Sequence, residues 1–316
     1  MTYAHTPVLL DKVLELLAPR GENELFIDAN IGEGGHSDAF LSQFPGLRIA
    51  GIDADKEILA IAEERLSHYG KRIQFYCCWS YDFFADYPSQ LKQPDTILFD
   101  LGVSLYHYKQ SGRGFSFEKD EYLDMRIDTS AGMSAADLLA RLPERELADL
   151  IYNNSGERYS RRIASLIVNE RKNGKISTTG ALASLVERAV PASYRHGQIH
   201  PATRTFQALR IAVNGELSRL QSILEAALSR LQPGGRLGVI SFHSLEDKIV
   251  KNFFRAMNKD CICPEQAPIC KCGGFRSINL LTKKGVVPEK SEIERNPPSR
   301  SARLRVVEKV LDGDYL

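Results

Sequence analysis

Short apolar runs punctuate the first hundred residues at regular intervals. ELFIDA (24–29), LRIAGID (47–53), RIQFYC (72–77) and PDTILFD (94–100) are each too short for a core helix and rich in Ile, Leu and Phe, and they predict buried strands. Polar-faced stretches lie between them. Residues 36–43 and 55–70 predict helices, the second with Ile58, Leu59, Ala62 and Leu66 along one face. Strand and helix in alternation predict an α/β protein with a parallel sheet covered on both faces. Ligands in such sheets bind beyond the carboxyl ends of the strands. Asp28, Asp53, Trp79 and Asp100 all fall there.

The alternation stops after about residue 104. Residues 105–201 carry helical periodicity in ELADLIYNN, RYSRRIASLIVNERKNG and TTGALASLVERAV, with no convincing strand. One long amphipathic helix is predicted over 203–231. GRLGVISF then predicts another buried strand, with a helix after it over 243–257. RSINLLTKK and SARLRVVEKV predict an antiparallel pair. The organisation expected is an α/β domain in two pieces, 1–104 and 206–316, interrupted by a helical insert, 105–205. At the start, TPVLLDKVLELL predicts an amphipathic helix with Thr6 as its cap and Pro7 in its first turn. Asp11 and Glu15 break its apolar pattern, which argues against a secretion signal.

The first strand runs into a glycine turn, LFIDANIGEGGHS. Glycines stand at 32, 34 and 35, and Ser37 occupies the place of the last glycine in a dinucleotide fingerprint. Asp53 ends the second strand, where a carboxylate can hold a ribose diol. Both NAD enzymes and adenosylmethionine enzymes need this pair of features. A pyrophosphate wants free N–H groups and tolerates nearby acids poorly. Asp28 and Glu33 crowd this loop, so the residues favour adenosylmethionine, with NAD as the alternative.

Composition adds less than charge. Hydrophobic residues at 43% and charged residues at 26% are ordinary for a globular protein. No apolar run is long enough to span a bilayer, and a cytoplasmic, membrane-free protein is expected. The net charge of +1 hides an imbalance. Residues 1–150 hold 14 Lys and Arg against 25 Asp and Glu, a net of −11, and residues 151–316 hold 27 against 15, a net of +12. The basic half could meet phosphates. Arg113, Arg126, Arg158, Arg161, Arg162, Arg204 and Arg210 are the cations in question, with surface ion pairing the alternative for each.

Nine stretches together resemble one family. They include HTPVLLDKVLELL, IDANIGEGGHS, GIDADKEILA, LFDLGVS, RGFSF, LDMRID, HPATRTFQALRIAVN, GGRLGVISFHSLEDKIVK and NPPSRSARLRV, in order along nearly the whole chain. The sequence is similar to the bacterial small-subunit rRNA cytosine-N4 methyltransferases, the MraW family. The resemblance implies a class I, Rossmann-like adenosylmethionine methyltransferase fold with an inserted helical substrate-recognition domain. It implies methyl transfer to the exocyclic amine of one cytidine in the decoding region of 16S rRNA, with the rRNA or the small subunit as partner. Carried over by position, Gly34, Gly35 and His36 match the cofactor loop. Asp53 matches the ribose acid, Trp79 stands where the family has a Phe beside the adenine, and Asp100 matches the acid ending the fourth strand. This chain departs from the family at GVSLYHYKQSGRGFSF, where His107 replaces a cofactor-contacting Gln.

Cytosine N4 is a weak nucleophile because its lone pair is delocalised into the ring. An acceptor for the amine hydrogen is needed, and Asp100 is the expected catalytic residue, with binding of the methionine amino group its other expected role. Asp100 is followed by Leu-Gly-Val and not by the Pro-Pro-Tyr of many amino-methyltransferases, so the stacking aromatic must come from Tyr106, Phe115, Phe117 or Phe242. Ser104, Arg113, Phe115, Arg204, Phe242 and His243 are expected to contact the substrate, His243 alternatively capping the helix that follows it. Cys77 and Cys78 are expected to be buried thiols. Cys261, Cys263, Cys270 and Cys272 form a C-x-C-x6-C-x-C array that could bind zinc, although the pairs lack the C-x-x-C spacing and the resemblance requires no metal. A non-catalytic RNA-binding assembly factor is the alternative to an enzyme.

Overall fold

The computed structural model describes residues 6–130, 132–197, 199–259 and 276–310. Along the chain the elements are α1 (Leu10–Leu17), β1 (Leu25–Asp28), α2 (Gly35–Gln43), β2 (Arg48–Asp53), α3 (Lys56–Leu66), β3 (Ile73–Cys77), α4 (Ser80–Ala85) and β4 (Thr96–Asp100). Among the described residues seven helices follow without a strand: α5 (Leu105–Lys109), α6 (Ala135–Arg141), α7 (Glu144–Ser155), α8 (Ser160–Glu170), α9 (Thr179–Ala189), α10 (Ala192–Arg195) and α11 (Thr203–Asn214). Then come α12 (Glu216–Arg230), β5 (Arg236–Ser241), α13 (Ser244–Met257), β6 (Ile278–Leu280), α14 (Lys290–Arg295) and β7 (Arg303–Lys309).

The strands form one sheet in the order β3-β2-β1-β4-β5-β7-β6. The first five are parallel, β7 runs antiparallel to β5, and β6 pairs antiparallel with β7. This is the parallel sheet that the alternation predicts, closed at one edge by the predicted antiparallel pair, and it is the class I methyltransferase fold. Side chains alternate between the two buried faces. Leu25, Ile27, Ile97, Phe99, Leu237 and Val239 face one layer, made by α4, α12 and α13. Phe26, Leu98 and Ile240 face the other, made by α1, α2 and α3.

The chain divides into two compact units. The first comprises Met1–Gly102 with Arg219–Leu316 and the second Val103–Ser218. The second has its own apolar core, which joins Leu139, Leu147, Ile151, Ile163 and Ile167 to Phe206, Ala208 and Leu209 of α11. Residues 206–218 therefore belong with the helical insert, and not with the flanking α/β domain to which the sequence reading assigns them. That reading also predicts one helix over 203–231. The structure breaks it at Gly215, whose left-handed φ of 63° ends α11 and satisfies the Ile211 carbonyl.

The N-terminal helix likewise differs. It starts at Leu10 with no side-chain cap, and Leu9 takes a left-handed φ of 56°. The Leu9 N–H donates to Glu292 Oε1 at 2.6 Å, so a distant carboxylate does the work that the Thr6-Pro7 pattern suggests for a local cap. Among the described residues no helix is long and apolar enough to cross a membrane.

Candidate active site

Three strand ends in the first unit carry acids: Asp28 on β1, Asp53 on β2 and Asp100 on β4. The glycine loop between β1 and α2 is tied back onto the sheet. Ile31 N–H donates to the Ile52 carbonyl at 2.9 Å, Gly32 N–H to Asp53 Oδ2 at 3.0 Å, and Gly34 N–H to the Ile31 carbonyl at 2.9 Å. Three N–H groups of the loop are thus engaged within the protein, and residues 25–37 contain no Lys or Arg to offset the charge of a pyrophosphate beside Asp28 and Glu33. The NAD reading does not fit this loop.

An adenosyl group does fit. The Asp53 carboxylate is fixed by Gly32 N–H on one oxygen and by Asp55 N–H, at 2.9 Å, on the other. A carboxylate oxygen accepts more than one bond, so this acid can also take the hydroxyls of a ribose. The glycines have a further reason. Gly34 has φ +78°, and a Cβ there would lie 2.8 Å from Leu66 Cδ1; a Cβ on Gly35 would lie 2.6 Å from Pro7 Cγ. Packing of the protein against itself thus requires both glycines, besides any approach of a ligand.

His36 is buried, 5% exposed. Its Nε2 lies 3.0 Å from the Val8 carbonyl, which can only accept, so Nε2 carries the proton. Nδ1 faces Asp100 Oδ2 at 3.6 Å. Asp100 leaves 26% of its side chain exposed, yet its Oδ1 is shut off from solvent and accepts no hydrogen bond. Its pKa is raised well above the usual carboxylate range, first by burial, then by the nearby charges of Asp28 and Glu246. Asp28 accepts from Ser37 Oγ at 2.7 Å. Burial pushes its pKa up to about 7 against the pull of that hydrogen bond. A basic, unsatisfied carboxylate oxygen at a strand end suits an ammonium, a sulfonium or an amine proton. It does not suit a phosphate.

Trp79 precedes α4 and is half-buried, with the Arg219 guanidinium 5.8 Å from its ring centre. Phe242 is half-buried against the α1–α3 layer. His243 caps α13: its Nδ1 accepts from Glu246 N–H at 3.4 Å, while Glu246 Oε2 accepts from the N–H groups of Phe242 and His243 at 2.9 and 3.3 Å. His243 Nε2 also lies 3.2 Å from Glu246 Oε1. The capping role weighed for His243 in the sequence is the one its contacts describe. Glu246, 2% exposed, is a part of this acid cluster that sequence reasoning missed. The signal was its position three residues after a cap, obscured because His is an uncommon cap.

Ser104, His107, Arg113, Phe115 and Arg204 lie in the second unit. Ser104 and His107 cap α5 reciprocally: Ser104 Oγ accepts from Tyr106 N–H at 3.1 Å and His107 Nδ1 from Ser104 N–H at 3.2 Å. One ring nitrogen of His107 is thereby committed to the backbone, and the ring packs edge-on to Phe115 at 5.0 Å. Phe115, 4% exposed, is a core residue of this unit, so it is not placed to stack on a base. Arg113 donates to the Arg126 and Ile127 carbonyls at 3.2 and 2.9 Å, which makes it a loop brace. Arg204 is exposed. Cys77 is exposed at the end of edge strand β3, contrary to the expected burial, and Cys78 is half-buried. The four-cysteine array, 261–272, lies outside the described residues.

The profile of the MraW methylase family matches residues 2–310. A protein of Treponema denticola named Ribosomal RNA small subunit methyltransferase H is 55% identical over 310 residues, covering 98% of both chains. Proteins of the same name from Syntrophobacter fumaroxidans and Treponema pallidum are 47% and 43% identical, each covering 96% of this chain and respectively 96% and 92% of their own. The chain belongs to the MraW methylase family and is an adenosylmethionine-dependent methyltransferase.

Proposed function

We propose that this methyltransferase modifies small-subunit rRNA at the exocyclic N4 of one cytidine, position 1402 of the decoding region. The relatives' shared name supports the rRNA. The observation that carries the choice of an amine is the Asp100 carboxylate at the end of the central strand, which reaches solvent over part of its side chain and whose pKa is raised by burial and by the charges of Asp28 and Glu246.

Adenosylmethionine, when bound, supplies a methyl group on a sulfonium cation. The residues of the chain supply position and a proton acceptor. Asp53 takes the ribose hydroxyls and Trp79 lies along the adenine. The Asp100 carboxylate, through the part of its side chain that reaches solvent, accepts a hydrogen bond from the N4 amine, which turns the nitrogen lone pair out of conjugation, and then takes the proton that N4 releases. A carboxylate held at ordinary acidity would be a poorer acceptor; burial beside Asp28 and Glu246 raises its affinity for that proton. Retention of the strand-end acids Asp53 and Asp100 favours an enzyme over a non-catalytic assembly factor.

The test is transfer of label from radioactive adenosylmethionine to small subunits that lack the mark. Asp100→Asn should transfer little label while binding the subunits as the natural chain does. Unimpaired transfer by that variant would remove Asp100 from the chemistry.

A further inference from the structure

Apart from Arg113, Arg171 and Arg195, which donate to backbone carbonyls, two sets stand out among the arginines of the helical unit. In one, each cation has a carboxylate. Arg126 pairs with Asp124 at 2.6 Å, Arg188 with Glu170 at 2.7 Å, and Arg210 with Glu216 at 2.9 Å. In the other, Arg158, Arg161, Arg162 and Arg204 are all exposed and make no ion pair among the described residues. Residues 156–204 hold nine Lys and Arg against three acids, and all three acids are engaged elsewhere. Glu170 pairs with Arg188 and Glu187 with His200. Glu157 is fully buried and accepts the Tyr194 hydroxyl at 2.6 Å.

Two of the four are held in place without neutralisation. The Arg158 guanidinium lies 4.9 Å from the ring centres of both Tyr159 and Tyr194. Arg204 Nη1 donates to the Tyr194 hydroxyl at 3.4 Å. Tyr194, fixed by the buried Glu157, is thus the post against which both cations rest. Stacking orients a guanidinium but leaves its in-plane N–H fork for an anion. Arg161 and Arg162 occupy the first turn of α8, which contains no acid. Cations at that end oppose the helix dipole, an arrangement that an approaching anion relieves.

We propose that Arg158, Arg161, Arg162 and Arg204 form a docking surface for the phosphodiester backbone of the substrate rRNA. The inference rests on rRNA being the substrate, and it assigns to these side chains affinity and not chemistry. Phosphate contacts position a nucleic acid and carry the salt dependence of its binding.

The triple variant Arg158→Gln/Arg161→Gln/Arg162→Gln tests it. Its comparison is Lys56→Gln/Arg145→Gln/Lys290→Gln, which removes the same charge from other exposed positions. Affinity for naked 16S rRNA and for small subunits is measured against salt concentration, with cofactor affinity from Trp79 fluorescence as the measure of correct folding. The first variant should bind both RNA forms roughly tenfold or more weakly near physiological salt, and its log–log salt slope should be shallower by about 2, at about 0.7 per lost single-strand contact. KM for subunits should rise with kcat kept. The proposal is overturned by an unchanged slope, by an equal loss in the comparison variant, or by a loss confined to assembled subunits, which would mark a ribosomal protein as the partner. The slope does not depend on which atom is methylated. Products without N4-methylcytidine would therefore sink the functional proposal and leave this one standing.

Discussion

Asp28 should make the protein lose stability as pH rises from 4 to 7. It is 1% exposed at the end of β1, and its pKa is raised from the usual 3.8 to about 7, chiefly by burial. Between those two values the unfolded chain has lost this proton and the folded chain still holds it. The stability that Asp28 contributes is complete below pH ~4, then falls by about 1.4 kcal/mol per pH unit, and levels off above pH ~7. From pH 5 to pH 7 the loss is about 2–3 kcal/mol. Asp28→Asn keeps the shape and an acceptor for Ser37 Oγ but has no proton to bind. The variant's own offset in stability is the same at both pH values, so the comparison rests on the change with pH. The chain has one tryptophan, Trp79, and it lies in the first unit with Asp28. Urea unfolding followed by its fluorescence at pH 5 and pH 7 should show a loss smaller by about 2–3 kcal/mol in the variant than in the natural chain. The same pH dependence in both would refute the idea that Asp28 enters the fold protonated.

Asp53→Ala should weaken adenosylmethionine binding by roughly 10- to 100-fold, the scale of losing hydrogen bonds to a charged acceptor; titration by Trp79 fluorescence reads it, and unchanged affinity would exclude Asp53 from the site. Asp100→Asn should lower kcat by roughly 100-fold or more with rRNA affinity kept, and the reverse pattern in steady-state kinetics would make it a binding residue. Gly34→Ala should cost about 1–2 kcal/mol from its left-handed φ alone, with more from the approach to Leu66; an unchanged urea midpoint would mean that the loop yields more readily than its packing implies.

The strands of the α/β domain were legible because their side chains face two buried layers, which leaves short unbroken apolar runs in the sequence. Asp53 and Asp100 were legible for the same reason, since each ends such a run. The features that escaped depend on distant partners. Leu9 is fixed by Glu292, far along the chain, and no local pattern announces it. The place of His36 is set by the Val8 carbonyl and by Asp100, neither of them a sequence neighbour. Gly215 was visible as a glycine, but continuous apolar periodicity on both sides hid the break. Phe115 shows the opposite error. An aromatic in a glycine-flanked loop reads as a base-stacking platform, yet its ring fills the core of the helical unit.

Nucleoside mass spectrometry on 16S rRNA tests the central claim most directly. Small subunits lacking the modification, incubated with the protein and adenosylmethionine, should yield N4-methylcytidine in the fragment that carries the target cytidine, and Asp100→Asn should yield far less. A methyl group found only on a ring carbon, a ring nitrogen or a ribose hydroxyl would contradict the account, which places the Asp100 carboxylate beside an exocyclic amine.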